Sequence, residues 1–397
     1  MKNVVRRAYF VLMFLGIISC TKQPVPTTSP SPNGQTNPIE LSPTLADDSA
    51  TQLPYTPAPS LTSFDAAQDE PDTSPPDTPT PSPTPAPQLL QLTTNECCVQ
   101  PFFSPDSTHI LFLDKPAPDA LTGFWRVPLT GGNPELSTDR LGIYSPDMQL
   151  VAYPQSGQTI VERISDAQRW TIPNGGRSLS FSPSGALVAW TTGQAGPPFD
   201  TALREIWISS FDGSNARQVA TLIGGGFTGW VSETQALVTG RQTSDETENA
   251  LWVLSLEDRS LRELIRGGRI RSISISPGGT WVAYLVTFAT DQVQDGIWLQ
   301  NIETDERKKL DLFGGYRWRD MNRLLVIPLD PNTAQSTVAS HQLWDVDATT
   351  GQPRPLTDPA ITPFKVAGGD WTVSPDGRFI AFVSATDRNI WVIQLEE

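Results

Sequence analysis

Side chains that commonly carry catalysis or bind metals are scarce in this chain of 397 residues. It has two histidines, His109 and His341, and three cysteines. A site built on imidazole needs several ligands held together, so two histidines this far apart argue against a His-based metal site. The sequence also lacks the Gly-x-Ser-x-Gly turn that presents a hydrolase serine. We therefore expect no catalytic residue, no metal, no cofactor and no enzymatic activity.

Cys20 is the residue whose position indicates the clearest chemistry. Lys2, Arg6 and Arg7 precede an apolar stretch that ends in Ile17-Ile18-Ser19-Cys20. A positive start, a short apolar segment and a small residue before Cys resemble a bacterial lipobox, in which the Cys is lipidated. Residues 1–20 are thus predicted to be a lipoprotein signal peptide. An ordinary secretion signal or an uncleaved anchor is the alternative. The rest would be exported and attached to the cell membrane or the outer membrane by lipid alone.

Cys97 and Cys98 form the one unusual pair of reactive side chains in the remainder of the chain. With Cys20 lipidated, they are the only thiols of an exported protein. They could form a vicinal disulfide or bind a metal. Equally, they could be two buried or incidentally oxidised cysteines without a role.

Residues 21–87 have the composition of a tether. Seventeen of these 67 residues are Pro, interleaved with Thr and Ser, and eight acidic residues stand against the single Lys22. Such a segment cannot bury a core and favours extended polyproline conformations. We expect a disordered, acidic spacer that either crosses a surface layer or serves as a passive linker.

From about residue 100 onward, one short phrase recurs. Ser-Pro followed by Asp or Gly appears in five clear copies and is replaced by weaker variants in two more, with a mean spacing of 45 residues. The clear copies begin at Phe103, Tyr144, Phe181, Ile275 and Val373, and the weaker ones at Trp230 and Trp318. A phrase repeated at this period indicates an array of one supersecondary unit.

Each unit reads as four short strands, here called a to d. The Ser-Pro phrase supplies the a–b turn, a nearly continuous apolar run forms strand b, and strand c has Trp near its start in most units. The repeated Trp residues are predicted to be packing residues between units rather than carbohydrate platforms. Four-stranded sheets at this period predict an all-β fold, a seven-bladed β-propeller, with six blades as the alternative. Strand 89–93 is predicted to join the last blade and close the ring, since that blade lacks a strand d.

The Ser-Pro-Asp-Gly turn, the Ile-Ala-Phe-like strand and the Ile-Trp-like strand resemble the WD-repeat-like units of TolB-type propellers. The resemblance covers roughly residues 88–397, and five of the seven turn phrases match well. It implies a β-propeller that mainly binds proteins or ligands, since the fold alone does not imply chemistry. TolB-type proteins are described with six blades and a separate α/β domain, which this sequence lacks. Their particular partners are therefore not carried over.

The connections that lead into strand a carry the candidate binding residues. Five of them contain Gly-Gly, several with basic or aromatic neighbours. In a propeller, the d–a and b–c connections share one face, around the mouth of the central channel. We predict a ligand or partner site on that face, formed by Arg177, Phe227, Arg269, Arg271, Tyr316, Arg317, Trp318, Lys365 and Trp371. The alternative is that Gly-Gly serves crowded backbone and that the arginines merely solvate loops.

These features together favour a monomeric binding module for a protein or an envelope polysaccharide. The net charge of −15 excludes the electrostatic footprint of a nucleic-acid-binding protein. The main alternative is a lactonase- or lyase-like propeller enzyme with a metal-dependent acidic site at the channel mouth. For such a site the sequence offers Asp320 and Asp370. A purely structural envelope component is a third possibility.

Overall fold

The computed structural model describes residues 87–94, 96, 98–193, 200–267, 269–289, 291–329 and 340–395. The signal peptide, the lipidation of Cys20, the tether and Cys97 lie outside the described residues. Within these ranges the protein is all-β, apart from one 3-10 turn at Gln292–Gln294. In the same part of the chain, no helix has the length and apolarity needed to cross a bilayer.

The first half of the fold contains three antiparallel sheets whose strands follow chain order. The first sheet holds β2 (Val99–Phe103), β3 (His109–Asp114), β4 (Gly123–Pro128) and β5 (Glu135–Thr138). The second holds β6 (Ile143–Tyr144), β7 (Leu150–Gln155), β8 (Gln158–Arg163) and β9 (Arg169–Ile172). The third has seven strands: β10 (Ser180–Phe181), β11 (Leu187–Gly193), β12 (Leu203–Ser210), β13 (Arg217–Trp230), β14 (Gln235–Arg241), β15 (Ala250–Ser255) and β16 (Leu261–Arg266).

The second half contains three four-stranded sheets. The fourth sheet holds β17 (Arg269–Ile275), β18 (Trp281–Thr287), β19 (Gly296–Asn301) and β20 (Arg307–Lys309). The fifth holds β21 (Gly314–Trp318), β22 (Arg323–Pro328), β23 (Trp344–Asp347) and β24 (Pro353–Pro355). The sixth combines β25 (Val366–Val373), β26 (Phe379–Ser384) and β27 (Ile390–Gln394) with β1 (Gln88–Gln91) from the other end of the chain.

The sheets are arranged as in a propeller. The inner strands β13, β17, β21 and β25 contact one another in that order, and β25 also contacts β2. Apolar clusters lie between successive sheets. One of them joins Phe112 and Val127 of the first sheet to Ala381 and Val392 of the sixth. The predicted all-β propeller architecture is thus confirmed. The count of seven blades stays a prediction, because one sheet has seven strands rather than four.

The closing strand lies where the sequence predicts it. β1 pairs with β27 in antiparallel register, with Leu89 opposite Ile393. The pairing continues past β1, since the Leu92 N–H donates to the Ile390 carbonyl at 2.9 Å. The Thr93 hydroxyl accepts from the Ile390 N–H at 2.8 Å. Leu92 and Thr93 are both buried, so β1 and the residues after it seal the sixth sheet.

The Ser-Pro phrase is a hydrogen-bonded turn rather than only a bend. In the first copy, the Ser104 hydroxyl donates to Asp106 at 2.5 Å and accepts from the His109 N–H at 3.0 Å. The same acceptance from the residue five positions on recurs for Ser145, Ser182, Ser276 and Ser374. One serine side chain therefore binds both the turn and the start of the second strand. These hydrogen bonds lower the pKa of Asp106 to about 2.

The fourth position of the turn requires a positive φ. Gly279 has φ +77°, and a Cβ there would lie 2.2 Å from the Val231 carbonyl oxygen. Gly185 and Gly377 have similar angles, whereas the second copy places Met148 at φ 56°. A non-glycine residue is strained in this left-handed region.

Replacing Met148 tests this conformational requirement. We expect Met148→Gly to be more stable than Met148→Ala by about 1 kcal/mol, because only Gly relieves the positive φ. Both variants remove the same half-buried side chain, so the difference isolates the backbone. Urea unfolding of the two variants measures it. An Ala variant as stable as the Gly variant would show that this turn is not strained.

The repeated Trp residues pack between sheets. Trp252 is buried, and Trp125, Trp207, Trp298, Trp344 and Trp391 are half-buried. Arginines from neighbouring outer strands cover some of their remaining faces, as Arg307 does over Trp298 at 4.1 Å from the ring centre. These rings are packing residues, in line with the prediction.

Candidate functional site

The two ends of the sheets form two different surfaces. The turn face carries the Ser-Pro turns and the connections between the third and fourth strands of each unit. The loop face carries the connections between the second and third strands and those that lead from one unit to the next. Because the inner strands run from the loop face to the turn face, residues at the start of an inner strand belong to the loop face.

An arginine pair on the loop face encloses an exposed aromatic ring. Phe288 follows β18 directly, and its side chain is 72% exposed. The Arg269 guanidinium lies 5.2 Å from the centre of its ring, and that of Arg271 lies 5.6 Å away. The pairing of Arg269 with Thr287 brings the two strand ends together. We call Arg269, Arg271 and Phe288 the Arg-Phe cluster.

Exposed apolar side chains are concentrated on the same face. Among the described residues, the connections of the loop face hold Leu121, Phe288, Val293, Phe313 and Ile361, and Leu203 begins β12 at the same face; all six are more than one third exposed. The connections of the turn face hold Ile164 and Met321. Contiguous exposed apolar surface marks interaction sites, whereas single exposed residues do not.

The other predicted loop-face residues have structural roles in their surroundings. Arg177 donates to the Gly193 carbonyl at 3.0 Å. Phe227 is half-buried and meets Trp230 at 5.4 Å between ring centres. Lys365 is half-buried near His341, whose pKa is lowered by burial and by the charge of Lys365. Within the described ranges, neither Arg177 nor Phe227 shares a hydrogen bond, ion pair or ring contact with the Arg-Phe cluster.

Three predicted aromatic residues are buried instead of exposed at a surface. Tyr316, Trp318 and Trp371 are each less than 9% exposed. The Tyr316 hydroxyl donates to the Ser272 carbonyl at 2.6 Å, and the Trp318 indole N–H donates to the Ser274 carbonyl at 2.9 Å. Both hydrogen bonds join β21 to β17 of the preceding sheet. Burial raises the pKa of Tyr316. These residues are therefore not exposed on the loop face as predicted, because the alternation of side chains along a strand turns them toward the core between the sheets.

Arg317 lies between two of these aromatics and is turned the other way, toward β25 of the following sheet. It is exposed. Its guanidinium lies 5.4 Å from the centre of the Trp371 ring, and it donates to the Tyr316 carbonyl at 2.8 Å. The surrounding channel wall desolvates this group and lowers its pKa.

A cavity of about 390 Å³ opens beside Arg317, toward the turn face. Its wall contains Trp230, Val231, Ile275, Pro277, Trp318 and Val373. Sequence reasoning placed the site at the other mouth of the channel and missed this cavity. The available signal was the Ser-Pro phrase itself, since its copies converge at the turn-face end of the inner strands.

The two acidic residues considered for an enzyme site are not brought together. Asp320 is exposed in a turn and accepts from the Asn322 and Arg323 N–H groups. Asp370 accepts from the Gln100 N–H at 2.9 Å, and burial raises its pKa. Within the described ranges, no group of three or more His, Cys, Asp or Glu side chains could hold a metal ion.

Cys98 is buried and disulfide-bonded. Its Sγ lies 3.8 Å from the Thr93 Oγ1, beside the closing strand. Cys97 lies outside the described residues, so the pairing of the two cysteines stays a prediction.

Comparison with known proteins identifies the fold and nothing narrower. No protein family and no curated protein matches the sequence. An oligogalacturonate lyase in complex with manganese is 13% identical, with a TM-score of 0.54 over 79% of this chain and 99% of that one. The oligogalacturonate lyase of Vibrio parahaemolyticus is 12% identical, with a TM-score of 0.55 over 79% of this chain and 98% of that one.

TolB is also among the similar structures, as the sequence resemblance implied. The putative TolB of Agrobacterium tumefaciens is 14% identical, with a TM-score of 0.37 over 75% of this chain and 90% of that one. At such identities a likeness concerns the fold alone. The chain is thus an all-β protein with a propeller-like fold, similar in structure to oligogalacturonate lyase and with TolB among its structural neighbours.

Proposed function

We propose that this protein is an extracytoplasmic, lipid-anchored binding module that engages a protein partner through its loop face. The observation that carries the proposal is the Arg-Phe cluster, together with the concentration of exposed apolar side chains on the same face. Phe288 is 72% exposed, and burying such a ring against a partner would contribute about 2 kcal/mol.

The charge of the Arg-Phe cluster indicates which kind of partner surface would bind it. The chain as a whole is acidic, with a net charge of −15. Arg269 and Arg271, by contrast, take part in no ion pair among the described residues. An aromatic ring flanked by two free guanidinium groups suits an apolar residue next to a carboxylate. The aliphatic side chains of Leu203, Val293 and Ile361 favour a protein surface over a polysaccharide.

Capture from an envelope extract tests the proposal. The wild-type protein is expected to retain a partner that the double variant Arg269→Glu with Phe288→Ser loses at least ~10-fold, because the variant removes the anchor and reverses a charge. Met321→Ser is the matched control: it removes a side chain that is 55% exposed, but on the turn face. It should retain the partner. Equal retention by the double variant would rule out the loop-face site, and no partner for the wild type would argue against a binding module.

A propeller enzyme is the second candidate, favoured by the fold similarity to oligogalacturonate lyase. One of those structures is named as a manganese complex. The described residues of this chain do not fit a metal, because Asp320 and Asp370 stand apart and no acidic or histidine cluster accompanies them. No catalytic step through a metal is derived for them.

We also propose that the seven-stranded sheet comprises two blades, which would give seven in total. β13 pairs with β12 through its first part and with β14 through its last part. Between them, Gly224, Gly225 and Gly226 all have positive φ, and the register shifts there. One long strand would then serve as the outer strand of one blade and the inner strand of the next.

A further inference from the structure

The cavity on the turn face differs from its surroundings in combining an apolar wall with one cation. At about 390 Å³, it falls within the usual range of small-molecule sites. Arg317 is the only charged side chain among its lining residues. It lies near the turn face, away from the Arg-Phe cluster on the loop face, so a ligand of this cavity would be independent of the proposed function.

Arg317 has hydrogen-bonding capacity to spare. Of its five N–H donors, the structure shows one in use, on the Tyr316 carbonyl. No carboxylate pairs with it among the described residues, whereas Arg323 and Arg354 both bind Asp345. Asp370 acts on Arg317 through its charge, but its carboxylate accepts from the Gln100 N–H and forms no hydrogen bond or ion pair with the guanidinium among the described residues. A guanidinium held against the Trp371 ring, partly desolvated and with most of its N–H groups unused, can bind a carboxylate.

The wall of the cavity selects the rest of the ligand. The indole N–H of Trp318 donates to the Ser274 carbonyl, and that of Trp230 donates to the Ser180 carbonyl at 3.2 Å. The Ser276 hydroxyl accepts from the Trp281 N–H. Both indoles are thus engaged with the protein, and the hydroxyls of Ser274, Ser276 and Thr372 are the polar side-chain groups left beside Arg317, so the wall offers mainly ring and aliphatic surface. Unpaired hydroxyls would be costly to bury here.

We infer that this cavity binds a small monocarboxylate with an apolar body, whose carboxylate is held by Arg317 and whose body packs against Trp230, Ile275 and Trp318. Asp370 and the acidic character of the chain disfavour a dianion at the same place. The protein would thus have two separate sites, one for a protein partner on the loop face and one for a small molecule near the turn face.

Isothermal titration calorimetry of the full chain with 4-phenylbutyrate tests this inference. We expect saturable binding by the wild type and at least ~10-fold weaker binding of the uncharged analogue 4-phenylbutyramide, which cannot form the charge-assisted pair. Acetate, which has no apolar body, should also bind at least ~10-fold more weakly. Both comparisons use the wild-type protein, so they do not depend on whether a variant folds.

Variants then assign the contact. Arg317→Gln should weaken 4-phenylbutyrate binding at least ~10-fold, since it removes the cation. Arg259→Gln, which removes an exposed arginine between β15 and β16 that does not line the cavity, should leave it unchanged. The inference is overturned if the wild type does not bind 4-phenylbutyrate, if the amide binds equally well, or if Arg317→Gln binds as the wild type does. Tighter binding of galacturonate than of 4-phenylbutyrate would overturn the assignment of an apolar body.

Discussion

Deleting residues 88–92 is expected to destabilise the protein by about 5 kcal/mol and to make it self-associate. The deletion removes β1 together with Leu92, which is 5% exposed in the cluster between the sixth and first sheets. It also removes the backbone hydrogen bonds along β27 from Gln394 to Ile390. What is left is an uncovered strand edge, a template for pairing with another molecule.

Two measurements check this expectation. The melting temperature should fall by roughly 10 °C, at about 2 °C per kcal/mol for a domain of this size. Light scattering at increasing protein concentration should report association. A deletion variant that melts within ~2 °C of the wild type would mean that β1 does not close the ring.

Two leucines of the same segment provide a matched control. Leu92→Ala should cost about 3 kcal/mol, because it leaves a cavity in the core. Leu90→Ala should cost under about 0.5 kcal/mol, because the Leu90 side chain is 46% exposed. If both cost the same, the loss on deletion would come from the backbone pairing rather than from the core.

The closing strand was predictable because both of its causes are local in the sequence. The segment around Leu89 has strand character with no partner nearby, and the last unit ends without a fourth strand. The Ser-Pro turns were predictable for the same reason, since a hydroxyl and the N–H it binds are five residues apart. A turn whose hydrogen bonds join nearby residues, and a unit that lacks one strand, can therefore both be predicted from the sequence alone.

The candidate site was predictable only in part. Arg269 and Arg271 were named from their own connection, but Phe288 belongs to a different one. Only the pairing of Arg269 with Thr287 brings the ring beneath both guanidinium groups. The sequence groups Tyr316, Arg317 and Trp318 because all three follow Gly314-Gly315. Alternation along β21 instead sends the aromatics into the core and the cation toward the Trp371 ring of the following sheet.

The seven-stranded sheet shows a further limit of sequence reasoning. The connection expected between two units, near Gly225-Gly226, carries the usual glycine signal of a turn. In the structure the same glycines lie inside the continuous strand β13. Positive φ angles serve a tight turn and a bend within a strand equally well. Whether the segment forms a turn or continues as a strand is decided by its pairing with strands on both sides, and that pairing depends on distant residues.

Asp345→Ala is expected to destabilise the protein by about 3 to 5 kcal/mol, because it leaves buried positive charge without its counter-ion. The Asp345 side chain is fully buried on β23, with an exposed fraction of 0%. Its Oδ2 lies 2.9 Å from a guanidinium nitrogen of Arg354, 3.1 Å from one of Arg323 and 4.0 Å from one of Arg319. Urea unfolding measures the loss.

Asp347 on the same strand is the control. It pairs with Arg323 at 3.2 Å, but its side chain is 32% exposed. Asp347→Ala should therefore cost about 1 to 2 kcal/mol, because it removes a solvated ion pair and the three exposed turn hydrogen bonds that its Oδ1 accepts from Thr349 and Thr350. If Asp345→Ala costs no more than this, the three arginines are solvated well enough to need no buried partner.

Burial, rather than the number of ion pairs, is what makes the expected effect large. Within the described residues, the Asp345 Oδ1 has no hydrogen-bond partner, so the arginines hold the carboxylate through its Oδ2. Of the arginines, the Arg354 side chain is 56% exposed and can turn to solvent, whereas that of Arg319 is only 11% exposed. Arg354→Ala should accordingly cost no more than about 2 kcal/mol. The double variant with Asp345→Ala should cost less than the sum of the two, because the second change removes a charge that the first leaves unpaired. Additive losses would show that the network acts as separate pairs.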